Sequence, residues 1–426
     1  MRRSVRVCVV GSGAREHALA VALARSASVV VTPGNPGIAE SDGVDVTGAP
    51  PVEVGADLVV VGPEAPLVAG LADELRSRGR RVLGPGRDGA RLEGSKAFMK
   101  ELATAAGVPT AAWASFGRAD DAVSFLRSLP GPYVVKTDGL AAGKGVLVTD
   151  ELSEAVADVE AKLSGASFGE AGRRVVVEEC LAGVELSVLA LCDGERFVLL
   201  PPAQDHKRLA DGDLGPNTGG MGAFSPVPGA SDEVLGRVVD EILEPTVAEL
   251  RRRGVDYRGV LYAGLMLTED GPKLIEYNVR FGDPEAEVVL PRCTVDLAEL
   301  FLSAADGRVG SGDVPVAGAA ACVVLAAPGY PAAPVLGGAV SGLGSAGEVE
   351  GVTVYHAGTT RGEDGVLRVA GGRVLAVTGV GADVGEARSR AYEAVRRVGF
   401  EGMQLRTDIA STAPSGEWPG AKEGAR

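Results

Sequence analysis

About two-thirds along the chain, Lys273-Leu274-Ile275-Glu276-Tyr277-Asn278-Val279-Arg280 carries a pattern that is chemical as well as structural. Period-two alternation predicts a strand with Ile275, Tyr277 and Val279 on one face and Glu276, Asn278 and Arg280 together on the other. A carboxylate and an amide oxygen two residues apart are hard oxygen ligands, suited to Mg shared with substrate phosphates. A guanidinium beside them can stabilise charge on a phosphoryl group in transfer. The following Phe281-Gly282-Asp283-Pro284-Glu285 brings more carboxylates to the same end. An amphipathic strand with a solvated polar face is the plainer alternative, and the residue types favour metal and phosphate over it.

Four other segments carry candidate chemistry. Gly11-Ser12-Gly13-Ala14-Arg15-Glu16-His17 follows a strand and opens a helix, where free backbone amides and close approach suit a phosphate. The dinucleotide fingerprint would need glycine in place of Glu16, so a dehydrogenase reading rests on Gly11 and Gly13 alone. Lys136 adjoins the loop Thr137-Asp138-Gly139-Leu140-Ala141-Ala142-Gly143-Lys144-Gly145, which shares only glycine and lysine content with a Walker A loop. Such a hairpin can fold over a triphosphate, with Lys136 and Lys144 reaching phosphate oxygens. Val175-Val176-Val177-Glu178-Glu179-Cys180-Leu181-Ala182-Gly183-Val184-Glu185 reads as a strand running into a linker, or simply as a strand with acidic ends. There, backbone groups can meet an adenine edge and Glu185 a ribose. Gln204-Asp205-His206-Lys207-Arg208 and the glycine-dense 215–222 are too polar for core, which marks a functional loop. The chain also prefers arginine to lysine, keeping Lys96, Lys100, Lys136, Lys144, Lys162, Lys207, Lys273 and Lys422. A lysine surviving that preference more often serves where a compact ammonium is needed.

These residues need a scaffold. Residues 5–10, 29–32 and 58–61 are short apolar runs ending in turn residues, with a helical stretch at 15–25 after the first. That alternation predicts a doubly wound parallel sheet with its ligand-binding turns at the strand carboxyl ends. From about 101 the texture becomes strand pairs around glycine turns, with Asp270-Gly271 a hairpin signal. From 311 it is small-residue-rich, with strands at 317–327 and 373–380 and a helix at 385–398. The expected division is an α/β substrate-binding unit at 1–100 and a two-lobed unit at 101–310 (lid lobe about 110–185). A small mixed α/β unit at 311–410 and a flexible tail at 411–426 complete it. The fold class is thus α/β and α+β, multidomain.

With 426 residues, 46% hydrophobic and 23% charged, the chain has the composition of a globular protein with ample core. A net charge of −15 argues against nucleic acid as a partner. No apolar stretch is long enough to span a bilayer, and the start lacks signal-peptide features. The five cysteines read as core hydrophobes in a reducing, cytoplasmic setting.

Taken together, the strings resemble the ATP-grasp superfamily and, more closely, the phosphoribosylamine–glycine ligase (glycinamide ribonucleotide synthetase) family. Gly11–Ala18, Gly62-Pro63-Glu64-Ala65-Pro66-Leu67, Gly94-Ser95-Lys96-Ala97-Phe98, 136–145, 204–208, 215–225 and 278–285 carry the likeness. Ala14, where glycine is frequent, and Val184, where an acidic residue is common, depart from it. The resemblance implies ATP-dependent joining of glycine to 5-phosphoribosylamine through glycyl phosphate, with Mg (or Mn) as cofactor. It implies ATP phosphates at Lys96 and Lys136, with Gly143 and Lys144 in the covering hairpin. Adenine would lie at Glu179 and Leu181, ribose at Glu185, and metal at Glu276 and Asn278, with Arg280 and Asp283 catalytic. Gly11, Gly13, Arg15, Glu16, His17, Pro63, Glu64, Asp205 and His206 would form the substrate side. A monomer or weak homo-oligomer is expected. Another ATP-grasp ligase, or a nucleotide-binding regulator lacking catalysis, are the rivals. The intact metal pair and Arg280 weigh against the second.

Overall fold

The computed structural model describes residues 5–140, 145–165 and 172–411. The valine-rich start forms a five-stranded parallel sheet of β1 (Arg6–Gly11), β2 (Ser28–Pro33), β3 (Val44–Val46), β4 (Leu58–Val61) and β5 (Val82–Leu83). Its order is β3-β2-β1-β4-β5. Alternate residues enter different cores: Val7, Val9, Val29, Val31 and Val60 one, Cys8, Val10, Val30, Val59 and Val61 the other. Both faces are therefore covered, which is why these runs are continuously apolar. Gly11 pairs with Pro33, and Val10 with Val61, so the turns after β1, β2 and β4 meet at one edge. The order of strand addition reverses between β1 and β4, the place where open α/β sheets leave a crevice. Helix α1 (Ala14–Ala24) starts there.

Two further sheets frame that crevice. The larger runs Gly271–Asn278, Arg258–Thr268, Val184–Asp193, Phe197–Leu199 and Gly312–Asp313. The hairpin falls at Asp270-Gly271, as the sequence predicts. The expected alternation fails at one residue, because Leu265 pairs with Leu274 and Gly264 with Glu276, leaving Ile275 extra. This bulge keeps Leu274, Tyr277 and Val279 in the core and turns Ile275 to the cleft with Glu276. The smaller antiparallel sheet orders Trp113–Phe116, Val175–Glu179, Tyr133–Thr137 and Val146–Thr149. Helices Ala119–Leu126 and Leu152–Leu163 cover it around a separate apolar cluster.

A last sheet orders Gln204–Asp205, Gly222–Ser225, Ala319–Ala326, Arg373–Gly381 and Val352–His356, backed by helix Val384–Val395. It combines strands from 204–225 with strands from beyond 319, so chemistry in the glycine-dense loop sits against C-terminal strands. No described helix is long and apolar enough to cross a membrane. All five cysteines are free and four are buried; Cys180 is half-buried.

Candidate active site

The smaller sheet presents lysines to the larger one. Lys136 lies on Tyr133–Thr137, and Glu178 lies on the strand hydrogen-bonded beside it. Glu178 Oε1 stands 3.0 Å from Lys136 Nζ, and Oε2 stands 2.7 Å from Lys100 Nζ, all three groups buried. Burial tends to raise the Glu178 pKa, but Lys136 and Lys100 outweigh it and keep the carboxylate ionised. Burial pushes Lys100 down to about 8 against the pull of Glu178. Lys100 also donates to Thr110 Oγ1 (2.7 Å), which donates to Leu274 O (2.6 Å), tying this lysine to the larger sheet. Lys96 opens helix Lys96–Ala105 and donates to Gly139 O (3.1 Å); burial lowers its pKa. Asp138 accepts from the Ala97 amide (2.9 Å) and Ser95 Oγ (3.0 Å), which clips the glycine hairpin's root to that helix.

Two cavities adjoin here. One, about 250 Å³, has apolar walls from Ala111, Val134, Cys180, Leu181, Met266 and Ile275, suited to a flat heterocycle. The other, about 470 Å³, is polar and extends to Arg15, Glu64, Arg280, Asp283 and Arg373. Lys207, Thr218, Val146 and Glu276 line both. Lys207 pairs with Glu185 and with Asp205 Oδ1 (2.9 Å), and these carboxylates outweigh burial and raise its pKa. Glu276 would be raised by burial, but Lys207, Lys136 and Lys96 overcome this and hold it below the usual range. Its charge is therefore available to a cation, and Asn278 Oδ1 lies on the same strand face, accepting from Arg280 Nη2 at 3.3 Å. One carboxylate and one amide oxygen do not close a cation site. Among the described residues no cluster of three or more His, Cys, Asp or Glu does so either. That donor set fits a divalent ion completed by phosphate oxygens.

Beyond Asn278 the cleft is built from arginines locked by carboxylates. Arg280 Nη2 bonds Glu93 Oε1 (2.9 Å), its Nε lies 3.4 Å from Glu64 Oε2, and Glu93 Oε2 accepts from the Val279 amide (2.9 Å). Burial works against the Arg280 charge, and Glu93 and Glu64 raise its pKa regardless. Arg15 donates to Glu16 Oε1 (2.7 Å) and to Phe281 O (3.2 Å). Asp283 Oδ1 lies 3.1 Å from Arg373 Nη1. Tyr262 and Glu285 share a 2.6 Å hydrogen bond at the cavity's base.

The cleft thus gathers Arg15, Pro63, Glu64, Lys96, Lys136, Leu181, Glu185, Asp205, Glu276, Asn278, Arg280 and Asp283 from the sequence reading, and Glu179 at its apolar end. The Glu179 carboxylate turns to the Ala112 amide (3.1 Å), and its own amide donates to Ala112 O. Other expected residues are placed elsewhere. Glu16 folds back on the Gly13 amide (2.7 Å), and its buried side chain fills the space that Cβ atoms at Gly11 and Gly62 would need. Those two glycines admit the Glu16 side chain, and Gly13 is its hydrogen-bond donor, so the loop's amides do not present an open phosphate nest. His17 is buried between Ser41 Oγ (2.9 Å) and the His356 amide (2.8 Å), with burial pushing its pKa down to about 3. It joins the first sheet's helix to the last sheet and does not line the cleft. His206 packs over Phe224, 4.0 Å from Asp213, and is likewise outside it. Gly143 and Lys144 lie outside the described residues.

The sequence matches the phosphoribosylglycinamide synthetase N domain at residues 5–93, the ATP-grasp (A) domain at 94–286 and the C domain at 320–412. The chain belongs to the phosphoribosylglycinamide synthetase family. Phosphoribosylamine–glycine ligase from Streptomyces coelicolor is 49% identical over 426 residues, covering 96% of this chain and 99% of its own. The Caulobacter vibrioides ligase is 48% identical over 416 residues, covering 95% and 97%. The crystal structure of the Thermotoga maritima ligase superposes with a TM-score of 0.83 at 38% identity, covering 95% of this chain and all of that one. A biotin carboxylase domain from Hydrogenobacter thermophilus shares the fold at TM-score 0.70 and 18% identity.

The A-domain match spans the lysine-lined end of the cleft. The geometry also adds Glu178, Lys100, Lys207, Glu93, Tyr262 and Arg373, which sequence reasoning did not single out as site residues. The lysine scarcity was the available signal for Lys100 and Lys207. Lys162 and Lys273 show its limit, since they pair with Asp158 and Asp270 away from the cleft.

Proposed function

We propose that this chain is an ADP-forming ligase that joins glycine to 5-phosphoribosylamine, giving glycinamide ribonucleotide, ADP and phosphate. The observation that carries this is the position of Glu276, at the junction of an apolar cavity fit for adenine and a polar cavity fit for a phosphorylated acceptor, in a chain of this family. A carboxylate is a poor acylating agent, so the glycine carboxylate oxygen first attacks the γ-phosphorus of ATP and ADP leaves. The ribosylamine nitrogen then attacks the acyl carbon of glycyl phosphate, phosphate departs, and the nitrogen loses a proton.

Lys96 and Lys136 hold phosphate oxygens, and Leu181 and Glu179 meet the adenine edge while Glu185 takes ribose hydroxyls. Glu276 and Asn278 hold a divalent ion, Mg or Mn, which when bound neutralises charge between nucleotide phosphates. Arg280, immobilised by Glu93 and Glu64, faces charge that develops on the transferred group without having to reorganise. Asp283 is the carboxylate placed for the amine proton. Gly139, Leu140 and Val146, which line the polar cavity beside the lysines, shield the acyl phosphate from water. We assign residues 1–100, apart from Lys96, to the acceptor side, 101–310 mainly to ATP and 311–410 to the closing unit, of a cytoplasmic monomer or weak homo-oligomer.

The test is ADP release coupled to NADH oxidation, with Mg-ATP, glycine, and phosphoribosylamine generated in place from ribose 5-phosphate and ammonia. Omitting glycine or the ribosylamine is expected to abolish release. Release that continues without either would overturn the assignment.

A further inference from the structure

Arg373 is on the C-terminal strand Arg373–Gly381, nearly a hundred residues beyond the cleft's other charged groups, yet it lines the polar cavity. Its Nη1 donates to Gly219 O (2.6 Å) and Asp283 O (2.7 Å), and lies 3.1 Å from Asp283 Oδ1. Tyr330, also on the C-terminal side, lines the same cavity and takes the Gly219 amide on its hydroxyl at 2.9 Å. Two side chains from one unit therefore grip both the glycine-dense loop and the Asp283 turn.

All the Arg373 bonds to the protein run through Nη1. Among the described residues no acceptor takes the Nε or Nη2 hydrogens. Of the three cleft arginines its side chain is the most exposed, 21% against 17% for Arg280 and 9% for Arg15. Arg280 is committed to two carboxylates and Arg15 to Glu16. Arg373 alone keeps one edge of a planar fork spare, the geometry that suits a phosphate. Its place also fits. It meets Asp283, which follows Asn278 and Arg280 outward from the nucleotide junction. An acceptor whose amine reaches the acyl carbon near Glu276 extends its phosphate to that outer end.

We propose that Arg373, delivered by the C-terminal unit, recognises the phosphate of the phosphorylated acceptor while it holds Asp283 and the 219–220 turn in place. This rests on the ligase reading above. The experiment measures wild type, Arg373→Met and Arg373→Lys, titrating ribose 5-phosphate (at fixed ammonia), glycine and ATP separately, with ATP affinity also taken by calorimetry. For Arg373→Met the apparent KM on ribose 5-phosphate should rise about 30-fold or more, a charge-assisted phosphate bond lost. KM for glycine and the ATP Kd should stay within about twofold, and Arg373→Lys should recover part of the loss. A rise confined to glycine, equal rises for all three substrates, or a lower melting temperature with unchanged KM values would each overturn the proposal. Wild type that fails to turn over would instead remove the ligase reading itself.

Discussion

The two ends of the cleft solve the same electrostatic problem differently. At the lysine-lined end, ammonium groups share carboxylates: buried Glu178 serves Lys136 and Lys100, and half-buried Glu276 faces Lys207, Lys136 and Lys96. At the arginine-lined end, guanidinium groups are pinned by Glu93, Glu64 and Glu16. Ammonium groups on flexible stems can follow a phosphate chain and its metal through a reaction. Guanidinium groups held by two or more bonds keep their orientation while substrates come and go. The difference teaches that one end of the cleft offers adaptable charge and the other a rigid frame.

The strongest test of that contrast is Glu276→Ala. It removes the carboxylate that three lysines face, and turnover is expected to fall about 10³-fold or more, with circular dichroism unchanged. Near-wild-type turnover at limiting Mg would sink the metal assignment. Next is Glu178→Gln, which leaves two buried ammonium groups without a counter-charge. Breaking a buried pair this way costs about 3 kcal/mol, read as a lower urea midpoint. A stability within about 0.5 kcal/mol of wild type would mean Lys100 and Lys136 find other partners. Lys136→Met should weaken ATP binding about tenfold to hundredfold by calorimetry, a charge-assisted bond lost. Unchanged affinity would move the phosphate contact to Lys96.

The smallest effect concerns a carboxyl beneath the acceptor end. Glu287 is fully buried, neither oxygen has a hydrogen-bond partner among the described residues, and burial, with Asp283 adding to it, raises its pKa well above the usual value. Its stability contribution is therefore complete below the unfolded value of about 4.3 and declines as pH rises toward the folded one. Glu287→Gln removes that decline, so its stability relative to wild type should rise between pH 4 and pH 8. Near pH 4 the two should be equal. A variant less stable than wild type at pH 8 would show that the carboxylate is ionised and serves the arginines.

These differences also explain what the sequence could reveal. Strand Leu58–Val61 and the Asp270-Gly271 hairpin follow from a local apolar run and turn chemistry, and they fall where the pattern puts them. The pairing of Glu276 with Asn278 on one face was legible because one strand carries both residues. Ile275 was not, since a bulge is a property of the pairing partner, and nothing in 273–280 reveals the slip at Gly264–Leu265. Glu16 and His17 were adjacent to the right loop, but α1 turns one back on itself and the other toward His356. Glu178 ended a valine run and looked like a strand terminus. Arg373 meets Gly219 across 154 residues, a distance over which composition says nothing.

The separate apolar cluster of the 113–179 sheet has a calorimetric consequence. Among the described residues, Ala122, Leu126, Val135, Val159, Val175 and Val177 form a core apart from the others. A unit with its own core can melt as its own cooperative step. Without nucleotide, differential scanning calorimetry should then resolve a small early heat-absorption peak ahead of the main one. ATP bound across both sheets would link the two transitions and draw the early peak into the later. The cleft would then act as the thermodynamic hinge pin of the molecule, closing two folding units into one.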